Sequence, residues 1–189
     1  LRDFVILLPG RRFRPSRILE ALRGEPGLGD ESTWLLGPDG TEISRADIER
    51  VHTSRYVDDL FGDAIEQVVV SVFELVDDSG RYHRYDPALA TRPLSEMFAG
   101  TLRGLAGSYQ VGREALRSGF CFYLGGGAHH AHADFGHGFC IVNDSMVAIR
   151  RLQAEGAVRT AWVIDVDAHK GACTASITRA DTSVTTLSV

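Results

Sequence analysis

Two short apolar runs end in clusters of ionisable residues, and this pattern narrows the fold more than any other feature of the chain. Residues 120–124 (Phe120, Cys121, Phe122, Tyr123, Leu124) read as a buried strand that runs into three consecutive glycines, Gly125, Gly126 and Gly127. Four of the seven histidines follow within nine residues, at His129, His130, His132 and His137. Residues 161–164 read as a second strand, with Asp165, Asp167 and His169 directly after it. Residues 183–189 look like a third. Between them, residues 143–153 carry Met146, Val147, Ile149 and Leu152 at helical spacing. Strands alternating with helices predict an α/β fold with a parallel sheet. In open sheets of this kind ligands bind outside the carboxyl ends of the strands, where both clusters lie.

The rest of the chain adds helices. Residues 4–8 read as a short buried strand stopped by Pro9 and Gly10. Ser16 is the expected cap of a helix running to Arg23, within a basic cluster of Arg11, Arg12, Arg14 and Arg17. Residues 24–40 are loop-rich and open to two readings, an entrance-shaping loop or a contact between copies in a homo-oligomer. Ser44 and Asp47 form a capping pattern for a helix with Ile48 and Val51 on its apolar face, ending near His52. Ser54 is the expected cap of another. Residues 68–76 fit a buried strand or a helix equally well. Residues 94–116 hold the longest helical pattern, interrupted by Gly100, Gly104, Gly107 and Gly112. Each glycine costs about 1 kcal/mol relative to alanine in a helix. Close packing against a neighbour, or a break, would account for them.

Composition excludes several classes. Hydrophobic residues are 44% and charged residues 24%, as in an ordinary globular domain rather than a disordered or fibrous chain. With 20 Lys and Arg against 25 Asp and Glu, the net charge of -5 argues against a nucleic-acid-binding domain. Cys121, Cys140 and Cys173 are too few and too scattered for a disulfide framework or a CxxC zinc site. No apolar run is long enough for a membrane helix, and the start has no signal-peptide pattern. The expectation is one domain over residues 1–189, in the cytoplasm and away from membranes.

The clusters carry specific chemistry. Residues two apart on a strand share a face, so Asp165, Asp167 and His169 are expected to converge at the end of a buried strand. Two carboxylates buried together are costly unless a cation or hydrogen-bond donors satisfy them, and a divalent metal held by carboxylate and imidazole does so. The tandem His129 and His130 are suited to general acid–base work beside a metal-activated water. His132, Asp134 and His137 read as loop residues, and His52 and His83 as structural or exposed.

Taken together these residues resemble the histone deacetylase family, including its bacterial acetylpolyamine and acetoin-utilisation relatives. Gly125 and Gly126, His129 and His130, Gly138, Phe139 and Cys140, and Asn143 with Asp144 resemble its GG-x-HHA…GFC-x-x-ND signature. Asp165, Asp167 and His169 resemble its metal strand. Residues 47–58, with Arg50, Val51, His52 and Tyr56, are similar to its RVHS-x-x-Y segment, and residues 14–17 are a weaker echo of its start. The resemblance implies a three-layer α/β/α fold with a central, mostly parallel sheet, as in the arginase and deacetylase folds. It implies zinc-dependent hydrolysis of an N-acetyl amide, on acetyl-lysine or an acetylated amine such as a polyamine, by a metal-bound water. Asp167 and His169 would be zinc ligands, His130 the main general base, His129 its electrostatic assistant and Asp165 the group orienting His129. Phe139 would line the substrate channel and Gly138 would offer its carbonyl to the substrate amide. Asp165, Asp167, His169, Ser188 and Val189 match a buried monovalent-cation site suited to potassium.

Three departures qualify that reading. Ala172 stands where the family has the Asp that orients His130. Cys173 replaces a glycine, which is costly if that position needs a left-handed backbone. The family's third metal ligand, an Asp, and its transition-state Tyr lie further along than Val189. The sequence therefore reads as the N-terminal portion of a longer deacetylase, incomplete at its C-terminus and inactive alone. The alternative is a catalytically impaired acyl-lysine or polyamine binding module on the same fold. A ureohydrolase of the arginase type is a distant third, because Lys170 and Gly171 follow His169 where a second acidic ligand is needed.

Overall fold

The computed structural model describes Phe4, Ile6 and residues 14–189. The first helix, α1 (Arg14–Arg23), is followed by single 3-10 turns at Pro26–Leu28 and Glu31–Thr33. Each turn is opened by a carboxylate accepting a backbone N–H, Glu25 from Gly27 and Asp30 from Ser32. In α2 (Arg45–Glu49) the Ser44 hydroxyl accepts the Asp47 N–H, and the Asp47 carboxylate accepts the Ser44 N–H. Helix α3 (Ser54–Phe61) buries Tyr56, Val57 and Leu60. Helix α4 (Ile65–Val72) buries Ile65, Val69 and Val72. Residues 68–76 are thus helical up to Val72, and Val76 lies beyond, in a bridge to Tyr82.

The long helix α5 (Met97–Ser118) runs unbroken through its four glycines and ends at Gly119, in the left-handed region with φ of 89°. Two of those glycines are close-packing sites. A Cβ at Gly107 would lie 2.4 Å from the Tyr123 ring, and one at Gly112 would lie 3.0 Å from Leu152. Gly104 has nothing within 4 Å and has no such explanation. Helix α6 (Asp144–Ala154) packs along α5 and buries Met146, Val147, Ala148 and Leu152. Ile48, Val57, Val69, Leu75, Met146 and Val147 form one continuous core with these faces. Burial of each such side chain contributes about 1.5–3 kcal/mol.

The sheet is a parallel pair, β1 (Ala161–Asp165) and β2 (Val184–Ser188), connected through α7 (Ala172–Thr178). Ala161 is opposite Val184, and the register runs to Asp165 opposite Ser188. Val184, Ala161 and Val163 pack on the helical core. The other face shows Trp162, Ile164 and Leu187 exposed. Among the described residues, helices therefore cover one side of this sheet.

Several expectations are corrected. Residues 120–124 do not form a strand: they find no ladder partner among the described residues, and Phe120 and Phe122 are exposed. Apolar β-formers make a strand only where neighbouring backbone completes the hydrogen bonds. Ser16 lies inside α1, which begins at Arg14. The α3 cap is Thr53, whose hydroxyl accepts the Tyr56 N–H, so Ser54 is the first helical residue. Helix α2 stops at Glu49, three residues short of His52. The expected strand over residues 4–8 and the basic residues Arg11 and Arg12 lie largely outside the described residues; Ile6 bridges Tyr85.

Candidate active site

The loop that presents the tandem histidines is fastened from behind. Asp144, buried in the first turn of α6, accepts the backbone N–H groups of Gly127 at 3.1 Å and Ala128 at 2.7 Å, and the Ser108 hydroxyl from α5. A carboxylate there is also favoured by the helix N-terminus. Gly126 is left-handed, and a Cβ on it would sit 2.6 Å from the Asp144 carboxylate, so glycine is needed on both counts. Asn143 does a parallel task. Its side-chain oxygen caps α6 through the Met146 N–H at 3.2 Å, and its amide donates to Thr174 Oγ1 of α7 at 3.0 Å. Its backbone N–H donates to Nε2 of buried His52 at 3.2 Å. Burial pushes the His52 imidazole down to about 4, so it is neutral and structural. Sequence reasoning placed Asn143 and Asp144 in a motif and gave them no role; the Asn before an apolar helix was the available signal.

On this support the chemistry-bearing residues meet. His129 Nδ1 donates to Asp165 Oδ2 at 2.6 Å, at the end of β1, which directs Nε2 the other way. That Nε2 lies 3.7 Å from Asp167 Oδ1. Burial works to raise the Asp165 carboxyl, but the His129 hydrogen bond and the Asp167 N–H outweigh it and hold it below the usual range. The His130 ring sits 4.1 Å from that of His129, 5.3 Å from His169 and 6.1 Å from His137. Burial, then the neighbouring His129, His169 and His137, push its pKa down. Its ring nitrogens make no hydrogen bond among the described residues.

Asp167 and His169 reach the site by a different route from the one expected. Strand β1 stops at Asp165, so strand alternation does not carry them. Instead Asp165 Oδ1 accepts the Asp167 N–H at 3.0 Å, and Asp167 Oδ1 accepts the His169 N–H at 2.8 Å. Asp167 Oδ1 and His169 Nδ1 are 2.9 Å apart. The His169 N–H and then its ring hold the Asp167 carboxyl below its usual range. Both side chains are more than half exposed, not buried. These two donors lie together as neighbouring ligands of one ion would, but no cluster of three potential ligands occurs among the described residues. The fit to a catalytic zinc, which takes three protein ligands, is therefore partial.

Gly138 and Phe139 form the tip of a tight turn closed by His137 and Cys140, which exchange backbone hydrogen bonds. Both central residues are left-handed, with φ of 53° and 67°. A Cβ on Gly138 would lie 2.8 Å from the His130 ring. Phe139 has no such excuse, and a left-handed non-glycine residue costs roughly 1–2 kcal/mol. Its N–H donates to the Val72 carbonyl at 3.1 Å, and its ring packs 6.0 Å from that of Phe73.

The departures resolve in part. Ala172 opens α7 and offers His130 no carboxylate. Cys173 is in α7 with an ordinary right-handed backbone, so the expected strain is absent. Its buried thiol lies 3.0 Å from Nε2 of His132. Of the residues matched to the monovalent-cation site, Ser188 Oγ accepts the Gly171 N–H at 3.1 Å and the Val189 N–H donates to the Asp165 carbonyl at 3.0 Å. Asp165, Lys170, Ala172, Thr174 and Ser188 line a cleft beside them.

The histone deacetylase domain matches residues 8–189, and the chain belongs to that family. It is 32% identical over 148 residues to histone deacetylase 15 of Arabidopsis thaliana, covering 78% of this chain and 24% of that protein. It is 50% identical over 48 residues to the acetoin utilization protein AcuC of Bacillus subtilis, covering 25% of this chain and 12% of that one. The fold is similar to that of the HDA15 HD domain, with a TM-score of 0.66 at 20% identity over 100% of this chain and 51% of the other. A histone deacetylase homologue from Aquifex aeolicus gives 0.65 at 19% identity, over 99% and 48%. The chain thus spans about half of these solved structures and a smaller share of the curated relatives.

Proposed function

We propose that this chain carries the tandem-histidine part of a site that hydrolyses an N-acetyl amide, on acetyl-lysine or an acetylated small amine. The observation that carries the reading is the 2.6 Å His129–Asp165 contact beside His130, Asp167 and His169. Asp167 and His169 would hold zinc from one side. When bound, zinc supplies the Lewis acidity that activates water and polarises the acyl carbonyl. Asp165 fixes the His129 tautomer, so that His129 presents Nε2 to the reacting groups. His130 takes the water proton and returns it to the leaving amine. Gly138 offers its carbonyl to the substrate amide, and Phe139 forms an apolar wall. Asp165, Asp167, His169, Ser188 and Val189 are the residues that would hold potassium.

One second reading, an acyl-amide binding module without proton chemistry, is favoured by Ala172, which gives His130 no carboxylate, and by the lack of a His130 ring hydrogen bond among the described residues. Assays of acetate release and of acetyl-lysine peptide binding, on the full-length protein with zinc supplied, separate the two. The deacetylase reading expects Ala172→Asp to raise acetate release at unchanged binding. Binding with no release from either form supports the module. Absence of both binding and release refutes the site.

A further inference from the structure

Two non-glycine residues among those described have a left-handed backbone, Glu74 with φ of 50° and Phe139 with φ of 67°. Arg84 joins them. Its Nη1 donates to Glu74 Oε2 at 2.6 Å, and its guanidinium carbon lies 5.7 Å from the centre of the Phe139 ring. The Glu74 carbonyl is held in turn by His83 Nε2 at 2.6 Å. Phe139 follows Gly138, whose missing side chain leaves room for the His130 ring. A cation is therefore fixed against the aromatic wall, one residue from the backbone that packs on a candidate catalytic imidazole. Left-handed non-glycine residues persist where surrounding contacts impose them, and they concentrate at binding sites.

We infer that Arg84 is a specificity-determining residue that selects acyl amides carried on a peptide, above all one with an acidic flank, over those carried on a polyamine. The inference rests on the deacetylase reading of the site. Arg84 is partly exposed. Among the described residues it uses one N–H, on Glu74, which leaves Nε and Nη2 free to donate. A peptide offers backbone carbonyls and, in an acidic flank, a carboxylate that matches the guanidinium fork. A polyamine beyond its acetyl group offers only donors and positive charge. The carboxylate beside the guanidinium, Glu74, is already engaged by Arg84.

The test is calorimetric binding to the purified full chain with zinc supplied. The probes are an acetyl-lysine peptide flanked by glutamate, the same peptide flanked by lysine, and N-acetylputrescine. The expected order runs from the glutamate peptide, tightest, to acetylputrescine, weakest, with about tenfold between the two peptides. Arg84→Gln removes that ratio and Arg84→Glu inverts it. Glu74→Gln, which breaks the same ion pair but keeps the guanidinium, preserves it; a merely bracing Arg84 would make Glu74→Gln and Arg84→Gln behave alike. Thermal melting identifies any variant that fails to fold, and the wild-type order with Glu74→Gln then decides. An unchanged ratio in Arg84→Gln, or equal binding of all probes by the wild type, overturns the inference and leaves the deacetylase reading standing. No binding of any probe by the wild type overturns both.

Discussion

The two clusters that meet at the candidate site are held by opposite means. Residues 125–130 are anchored by a buried carboxylate, Asp144, that belongs to another element and takes two of their backbone N–H groups. Residues 165–169 are held mainly by their own side chains folding back on the next N–H groups, with Asp167 and His169 open to solvent. The first arrangement resists displacement, because moving the loop strands a buried charge. The second permits adjustment, because its hydrogen bonds can be exchanged for water. The proposed site, which would fix proton carriers and yet admit an ion, would gain from having both.

The largest effect expected is at the anchored side. Asp144→Ala leaves two backbone N–H groups and the Ser108 hydroxyl without their acceptor, and should destabilise by about 3 kcal/mol or more in urea unfolding. A loss below about 1 kcal/mol would erase the contrast. Next comes acidity. Below the ordinary histidine value of 6.5, unfolded chain takes up a proton that folded His52 refuses until about pH 4. Stability should therefore fall as pH drops through that window, by on the order of 2–3 kcal/mol. His52→Gln should flatten that slope, as read from unfolding curves at several pH values. Smaller again is Gly107→Ala, which pushes a methyl into the Tyr123 ring just before the glycine loop and should cost about 1–3 kcal/mol. At Gly104, open and on the same helix, alanine should stabilise by up to about 1 kcal/mol. The smallest effect is on the adjustable side, where Asp167→Ala should change stability by no more than about 0.5 kcal/mol. A larger loss would show that this loop too is structural.

Local chemistry made much of this legible. The Ser44 and Asp47 capping box, the long helix through residues 94–116 and the pair of strands around Asp165 and Ser188 follow from spacing and side-chain type, because those signals act over three or four residues. Residues 120–124 misled because their apolar composition speaks of burial, whereas a strand is made by a neighbour's backbone. Ser16 and Ser54 misled because capping depends on backbone geometry one residue either way. At the site, residue types announced the clusters. The route by which Asp167 and His169 arrive is local but turns on where the strand stops, whereas the Asp144 anchor and the Arg84–Phe139 link depend on segments far apart in the chain. Nothing in the order of residues marks Ser108, Asp144 and Gly127 as neighbours.

A loop fastened at its back is free to change at its front. The contacts of Asp144 are to backbone and to Ser108, so they make no demand on which side chains follow at positions 129 and 130. Descendants of such a scaffold can exchange one imidazole, or both, and keep the platform on which the replacements stand. Loss of proton chemistry and loss of fold are thereby separate events in the history of a lineage, and a retired catalyst can persist as a receptor.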